Sequence, residues 1–169
     1  IVDELGALNV AILRVVISTG VLHGDTFAPE KKLEQLDAEA MHHVFHVNTV
    51  VPVLWLSALA PLLKHSEHCV VAATSARVGS IGDNRAGGWY SYRASKAALN
   101  MVLKSAAVAY GRRAPGVKLI AFHPGTTASE LSRPFQRGVP EGKLFTPAYV
   151  AGQLLSVMEN VNADGELAY

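Results

Sequence analysis

Tyr92 and Lys96 stand four residues apart in the run Tyr92-Arg93-Ala94-Ser95-Lys96. On a helix that spacing puts both side chains on one face, so a phenol and an ammonium can converge. A tyrosine alone titrates near pH ~10, too high for proton exchange near neutrality. A neighbouring cation favours the phenolate, so the pair reads as a proton donor and acceptor whose pKa Lys96 lowers. Such pairs also arise on solvated helix faces, so the surroundings must decide. Ser75 supplies a hydroxyl at the end of the apolar run HCVVAAT, residues 68–74. Asn48 lies within a helical pattern with Pro52 four residues on. Proline has no N–H, so the Asn48 carbonyl loses its intrahelical partner and is free to hold a water or a lysine.

The elements that position these groups alternate. Residues 10–18 (VAILRVVIS) are apolar and β-branched, as in a strand covered on both faces, and Thr19-Gly20 ends them. Helix-start signals over residues 29–37 precede a long helical pattern over residues 38–65. The strand of residues 68–74 follows, then a Gly-rich loop over 75–88 and a helix over 89–112. A third strand, residues 117–122 (VKLIAF), ends at His123-Pro124-Gly125. Residues 126–145 form a long irregular segment, uncommon unless functional. Thr146 caps a helix with Pro147 in its first turn, running to about residue 160. Residues 167–169 begin a fourth strand. The order β-α-β-α-β-α-β predicts an α/β fold, a parallel sheet flanked by helices. Such sheets bind ligands outside the carboxyl ends of their strands. Residues 18–20, 74–76 and 123–127 are therefore expected along one edge.

The chain has 169 residues, half of them hydrophobic, enough for one domain with a sizeable core. A net charge of +1 gives no electrostatic reason to expect nucleic acid or an anionic membrane. The single Cys69 excludes a disulfide framework within the chain and fits a reducing, cytoplasmic setting. Residues 50–63, the most apolar stretch, are too short to span a bilayer and read as a buried helix. Residues 1–9 are amphipathic and begin with Ile1 rather than Met, which suggests a piece of something longer.

Taken together these residues resemble the short-chain dehydrogenase/reductase family. The matching pieces are Val47-Asn48 with Pro52, residues 70–75, Tyr92-x-x-x-Lys96 with Ala97-Ala98-Leu99, and His123-Pro124-Gly125. In Gly79-Ser80-Ile81 and Gly87-Gly88-Trp89-Tyr90-Ser91-Tyr92-Arg93 the chain is similar to the branch of sniffer-type carbonyl reductases and C-factor proteins. The resemblance implies an NAD(P)-dependent oxidoreductase acting on a small carbonyl or secondary alcohol, with NADP favoured by the branch. It implies that Tyr92 exchanges the proton and that Lys96 assists it and holds the nicotinamide ribose. Ser75 would hold the substrate oxygen, and Asn48 would anchor a relay water. Gly20, Pro124, Gly125, Thr126 and Thr127 would line the cofactor, with Thr127 or Ser129 touching its carboxamide or diphosphate. Residues 131–145 would cover the substrate. Relatives commonly pair through two long helices, here residues 38–65 and 89–112, as homodimers or homotetramers, and members of this branch can also be monomers.

The chain departs from the family's pattern in three ways. No G-x-x-x-G-x-G or G-x-G-x-x-G string occurs, so the expectation is a single, partial Rossmann domain without the Gly-rich first βαβ unit. On that expectation the first strand exposes an apolar edge prone to aggregation. The family's Asn-Asn-Ala-Gly appears here as Ile17-Ser18-Thr19-Gly20, leaving Ser18 or Thr19 to replace the sheet-stabilising asparagine. Counting back from Gly79 puts Ala76 where many relatives carry the serine; Ser75 ends the strand and is chosen, with Ser80 as the substitute. The alternative function is a non-catalytic family member acting as an interaction or signalling domain. His42, His43, His46 and Glu39 read as a surface helix face, not a metal site. Glu30-Lys31-Lys32-Leu33-Glu34 reads as a solvated helix end.

Overall fold

The computed structural model describes residues 2–7 and 10–169. Of the amphipathic segment 1–9, Ile1, Leu8 and Asn9 lie outside the described residues, and a short helix, α1 (Val2–Ala7), packs against the third helix of the chain. The first strand, β1 (Arg14–Ile17), is shorter than residues 10–18 suggest. Its neighbour begins only at Cys69, and the Val70 N–H donates to the Leu13 carbonyl at 3.0 Å, so earlier residues have no strand to pair with.

The long helical pattern is three pieces in one continuous run. Helix α2 (Ala38–Phe45) is capped by Asp37, whose carboxylate accepts the Ala40 N–H at 2.8 Å. A π-helical turn, His46–Val50, leads into α3 (Val51–Leu63). The Val51 N–H donates to the His46 carbonyl, five residues back, and Pro52 has no N–H to restore the normal pitch. This widened turn carries Asn48 and Thr49 into the interior. The whole run, Ala38–Leu63, is 26 residues long and apolar enough to cross a membrane by length and composition. Here it is a core helix: Leu56, Leu59 and Leu63 pack on the sheet.

Strand β2 (Cys69–Thr74) lies between β1 and β3 (Val117–Phe122), and all pairings are parallel. Between β2 and β3 runs the 24-residue helix α4 (Tyr90–Arg113). After β3 come the two-residue strands β4 (Thr126–Thr127) and β5 (Leu144–Phe145), which pair in parallel and close off the segment expected to be irregular. Helix α5 (Pro147–Glu159) starts at Thr146, whose hydroxyl accepts the Tyr149 N–H at 3.2 Å. Strand β6 (Leu167–Ala168) pairs with β3, giving a sheet ordered β1-β2-β3-β6.

Strand side chains alternate between the faces. Cys69, Val71 and Ala73 of β2, with Val117, Leu119 and Ala121 of β3, face α3 and α4 and meet Leu99 and Leu103. Val70, Ala72 and Ile120 face the other way, onto Leu154 and Met158 of α5. The parallel sheet is thus covered on both sides, as the apolar runs predict. Leu13, just before β1, and Val16 within it are 60% and 48% exposed.

Candidate active site

Helix α4 begins under unusual control. Gly87, Gly88 and Trp89 have φ of 64°, 62° and 51°, three successive left-handed residues, and Trp89 supplies no side-chain cap. The cap comes from far away instead. The Glu30 carbonyl accepts the Trp89 N–H at 2.5 Å, its carboxylate accepts the Ser91 N–H at 3.3 Å, and the Ser91 hydroxyl also donates to it. Gly88 suits this place on φ, and a Cβ there would make a tight 3.2 Å contact with the Glu30 carbonyl oxygen. The reading of residues 30–34 as a solvated end therefore fails at Glu30, which is buried, while Lys31, Lys32, Leu33 and Glu34 are exposed. A carboxylate at the positive end of a helix that lacks its own cap explains the burial.

From that start, Tyr92, Lys96 and Asn100 follow at one-turn intervals. Tyr92 and Lys96 are both buried, and the ammonium lies 5.9 Å from the centre of the tyrosine ring. Lys96 donates to the Thr74 carbonyl at 2.8 Å, which ties the helix to the end of β2. The next residue, Ser75, is buried, and its hydroxyl donates to Asn100 Oδ1 at 2.6 Å. Ser80, the substitute, lies in a turn beside Ile81 and Arg93, and its hydroxyl accepts the Asp83 N–H at 3.4 Å. Asn100 went unnoticed in the sequence, although its place one turn beyond Lys96 was a signal available there.

Burial governs the electrostatics. It pushes the Tyr92 phenol up to about 12 and Lys96 down to about 8. The expectation of a lowered phenol pKa is therefore not met: burial disfavours the phenolate and holds the phenol above its ordinary value.

Asn48 is fully buried, and its amide brackets the loop after β1: Oδ1 accepts the Val21 N–H at 2.7 Å and Nδ2 donates to the Val21 carbonyl at 2.9 Å. Nδ2 also reaches the Ser95 hydroxyl at 3.1 Å, and that hydroxyl donates to the Tyr92 carbonyl at 2.8 Å. The Thr49 hydroxyl adds a bond to the Ser95 carbonyl at 2.8 Å. Ser95 thus locks the first turns of α4 to the π turn, a role that spacing alone does not reveal.

The three strand ends share an edge. Ser75 N–H donates to the Phe122 carbonyl at 2.7 Å, and Arg77 N–H to His123 Nδ1 at 3.1 Å. At the end of β1, a Cβ placed on Gly20 would lie 3.8 Å from both Lys96 Nζ and Asn48 Oδ1, and 3.9 Å from Leu131. Gly125 has φ of 72°, which suits glycine where the backbone turns after Pro124. Residues 129–138 fold back over this edge. The Glu130 carbonyl contacts His23 at 3.3 Å, and Phe135 packs on His23 and Trp89. Ser129 is exposed and its carbonyl accepts the Ser132 N–H at 3.2 Å.

Among the described residues, two buried side-chain polar atoms have no partner, Thr19 Oγ1, two residues after β1, and Thr127 Oγ1, in β4 beyond the end of β3. The idea that Ser18 or Thr19 ties the sheet together is not met, since the Thr19 hydroxyl bonds nothing and Ser18 is exposed. A buried hydroxyl without a partner costs about 1–3 kcal/mol. Two unpaired hydroxyls beside glycine-lined space are what a nicotinamide dinucleotide would need here, so these residues fit that group. His42, His43 and His46 are exposed, and no group of three or more metal-binding side chains converges among the described residues.

A covered parallel sheet with a Tyr-Lys pair at its carboxyl edge defines the class, and the comparisons agree. The profile of the family described as short chain dehydrogenase matches residues 1–139, and the chain belongs to that family. The 1-hydroxy-2-glutathionyl-2-methyl-3-butene dehydrogenase of Rhodococcus sp. (strain AD45) is 35% identical over 76% of this chain and 54% of its own length. The C-signal protein of Myxococcus xanthus is 33% identical over 78% of this chain and 74% of its own. Among solved structures, carbonyl reductase Sniffer of D. melanogaster has a TM-score of 0.80 at 20% identity, over 99% of this chain and 71% of that one. The NADPH-bound carbonyl reductase from chicken fatty liver gives 0.81 at 22%, over 98% and 67%. The chain spans 54% of the first of these relatives, about half its length.

Proposed function

We propose that this chain is an NAD(P)-dependent oxidoreductase interconverting a carbonyl and a secondary alcohol, with Tyr92 as general acid and base. The observation that carries the reading is the buried Lys96, 5.9 Å from the Tyr92 ring and bonded to the Thr74 carbonyl, one residue before the Ser75 hydroxyl. The dinucleotide, when bound, supplies or takes up the hydride. Tyr92 donates its proton to the carbonyl oxygen in reduction and recovers it from the alcohol in oxidation. With its phenol pushed up to about 12, Tyr92 is protonated at neutral pH, the form that reduction needs. Lys96 holds the nicotinamide ribose and keeps a positive charge beside the phenol. Ser75 orients the substrate oxygen, and the Asn48 carbonyl anchors the relay water.

Gly20, Pro124, Gly125, Thr126 and Thr127 form the wall for the nicotinamide, and residues 131–145 cover the substrate. The cofactor is NADP or NAD, with NADP preferred; the chicken reductase of similar fold is NADPH-bound and the similar Burkholderia multivorans structure holds NADP. The chain acts as one domain and pairs with a second copy through α3 and α4, where Leu54 and Met101 are exposed. A reducing, cytoplasmic setting suits Cys69, whose buried thiol is pushed up to about 11.

The test mixes the chain with NADPH and a panel of aldehydes and follows cofactor oxidation. Turnover is expected, and Tyr92→Phe should lower it by roughly 10²–10⁴-fold without loss of NADPH binding. A second reading rests on the 33% identity to C-signal: a non-catalytic interaction or signalling member. A folded chain that neither binds nor oxidises NADPH would favour it.

A further inference from the structure

Thr19 lies two residues after the end of β1 and just before Gly20, and its Oγ1 is buried without a hydrogen-bond partner. Valine has nearly the same shape and no hydroxyl to desolvate, so threonine at this place costs stability unless something outside the protein pairs with it. The position narrows down what that is. Gly20, one residue on, borders Lys96 Nζ and Asn48 Oδ1, each 3.8 Å from the place of its absent Cβ.

The second unpaired hydroxyl, on Thr127, comes from the segment after β3, and β2 lies between β1 and β3. Neighbouring strands are about 4.8 Å apart, so the ends of β1 and β3 are separated by about 10 Å. A water could satisfy either hydroxyl alone. A single elongated ligand rich in hydroxyl and phosphate oxygens, lying across the end of β2, satisfies both. A hydroxyl both donates and accepts, which suits a ribose hydroxyl or a phosphate oxygen equally.

We infer that Thr19 contacts the cofactor, hydrogen-bonding a ribose or phosphate oxygen of a dinucleotide laid across the ends of β1, β2 and β3. The inference rests on the oxidoreductase reading above. It gives Thr19 a role that no motif in the chain announces, at a position where the resembling pattern places a side chain without a hydroxyl.

The experiment uses Thr19→Val and Thr19→Ser in the full chain, with two readouts that need no turnover. One is the thermal midpoint of the free protein, and the other is the NADPH dissociation constant from fluorescence titration. For Thr19→Val the two effects should run in opposite directions. The free protein melts higher, because an unpaired buried hydroxyl is gone, while NADPH binds roughly tenfold more weakly for the lost hydrogen bond. Thr19→Ser keeps the hydroxyl and stays within about threefold of the parent in affinity, under half the tenfold loss on the free-energy scale. Thr19→Ala serves as the second variant should valine perturb the loop, with the same loss of affinity.

Equal NADPH affinity in parent and Thr19→Val overturns the inference. So does a lower melting point with unchanged affinity, which would mean that the hydroxyl serves the free fold. A parent that does not bind NADPH removes the oxidoreductase reading itself, and Thr19's role with it. Comparing parent and variant therefore separates the two failures.

Discussion

Lys96 is 2% exposed, holds the Thr74 carbonyl, and has its pKa lowered to about 8 by burial. Between that value and the ordinary 10.5 the unfolded chain binds more protons than the folded one, so this lysine makes stability rise with pH across that window. Cys69 works the other way: burial raises it from 9.0 to about 11, so its contribution is lost as pH climbs above 9. Tyr92 and Tyr110, both raised from 10.0 to about 12, oppose Lys96 higher still. The thermal midpoint is therefore expected to climb between pH 8 and 9, to level off as Cys69 cancels Lys96, and to turn down above pH 10.0 where the tyrosines add, and a series of melting curves checks it. Lys96→Met should melt higher than the parent at pH 7, because no charge is left to bury, with the gain shrinking above pH 8. In catalysis the sign reverses. Carbonyl reduction needs the lysine charged, so kcat/KM should be flat below pH 8 and fall above it, with the Tyr92 phenol still protonated. A rate that keeps rising past that point would show that Lys96 does not act as a cation.

Each element around the site is held by a contact from elsewhere in the chain. Glu30 caps α4 from 61 residues away, so Glu30→Ala should cost about 1–2 kcal/mol, typical of a lost cap. Because Tyr92 is in the first turn of that helix, kcat should drop more than KM changes; denaturant titration and steady-state kinetics report the two effects separately. Gly79 rests against α4, where an added Cβ would lie 2.8 Å from the Lys96 carbonyl carbon and 2.9 Å from its Cβ. Backbone cannot yield as a side-chain tip can, so Gly79→Ala should push α4 outward and destabilise the fold by about 1–3 kcal/mol. Unchanged stability in that variant would mean that the turn after Ser75 moves freely. The π turn belongs to the same scale: it is where Pro52 breaks the helical ladder and Asn48 enters the interior.

At the largest scale, among the described residues, the sheet has two covered faces and β1 pairs with a strand on one side only. Val16, Leu13 and Val10 are 48%, 60% and 63% exposed along and before that strand. Such an edge invites pairing with another chain, and a lysine there opposes it. Val16→Lys should lower concentration-dependent association in light scattering while leaving the unfolding free energy within about 0.5 kcal/mol of the parent, as for an ordinary surface change. Association through α3 and α4 would survive the same substitution, so the two modes separate. Opposite that edge, the Lys118–Asp164 bond of 2.5 Å fixes the segment leading to β6.

What was legible in the sequence was local and periodic. Tyr92 and Lys96 share a helix face because one turn spans about four residues. The apolar runs announced buried parallel strands, Pro52 marked the broken helix, and Thr146 with Pro147 marked the start of α5. Glu30 at the start of α4, Asn100 on Ser75, Ser95 on Asn48 and the unpaired Thr19 were decided only in three dimensions. These contacts join residues 61, 25 and 47 positions apart, and no pattern of spacing encodes a hydrogen bond across such a distance. The tyrosine's pKa was misjudged for the same reason. A neighbouring charge can be counted along a helix, but burial depends on everything that packs around it.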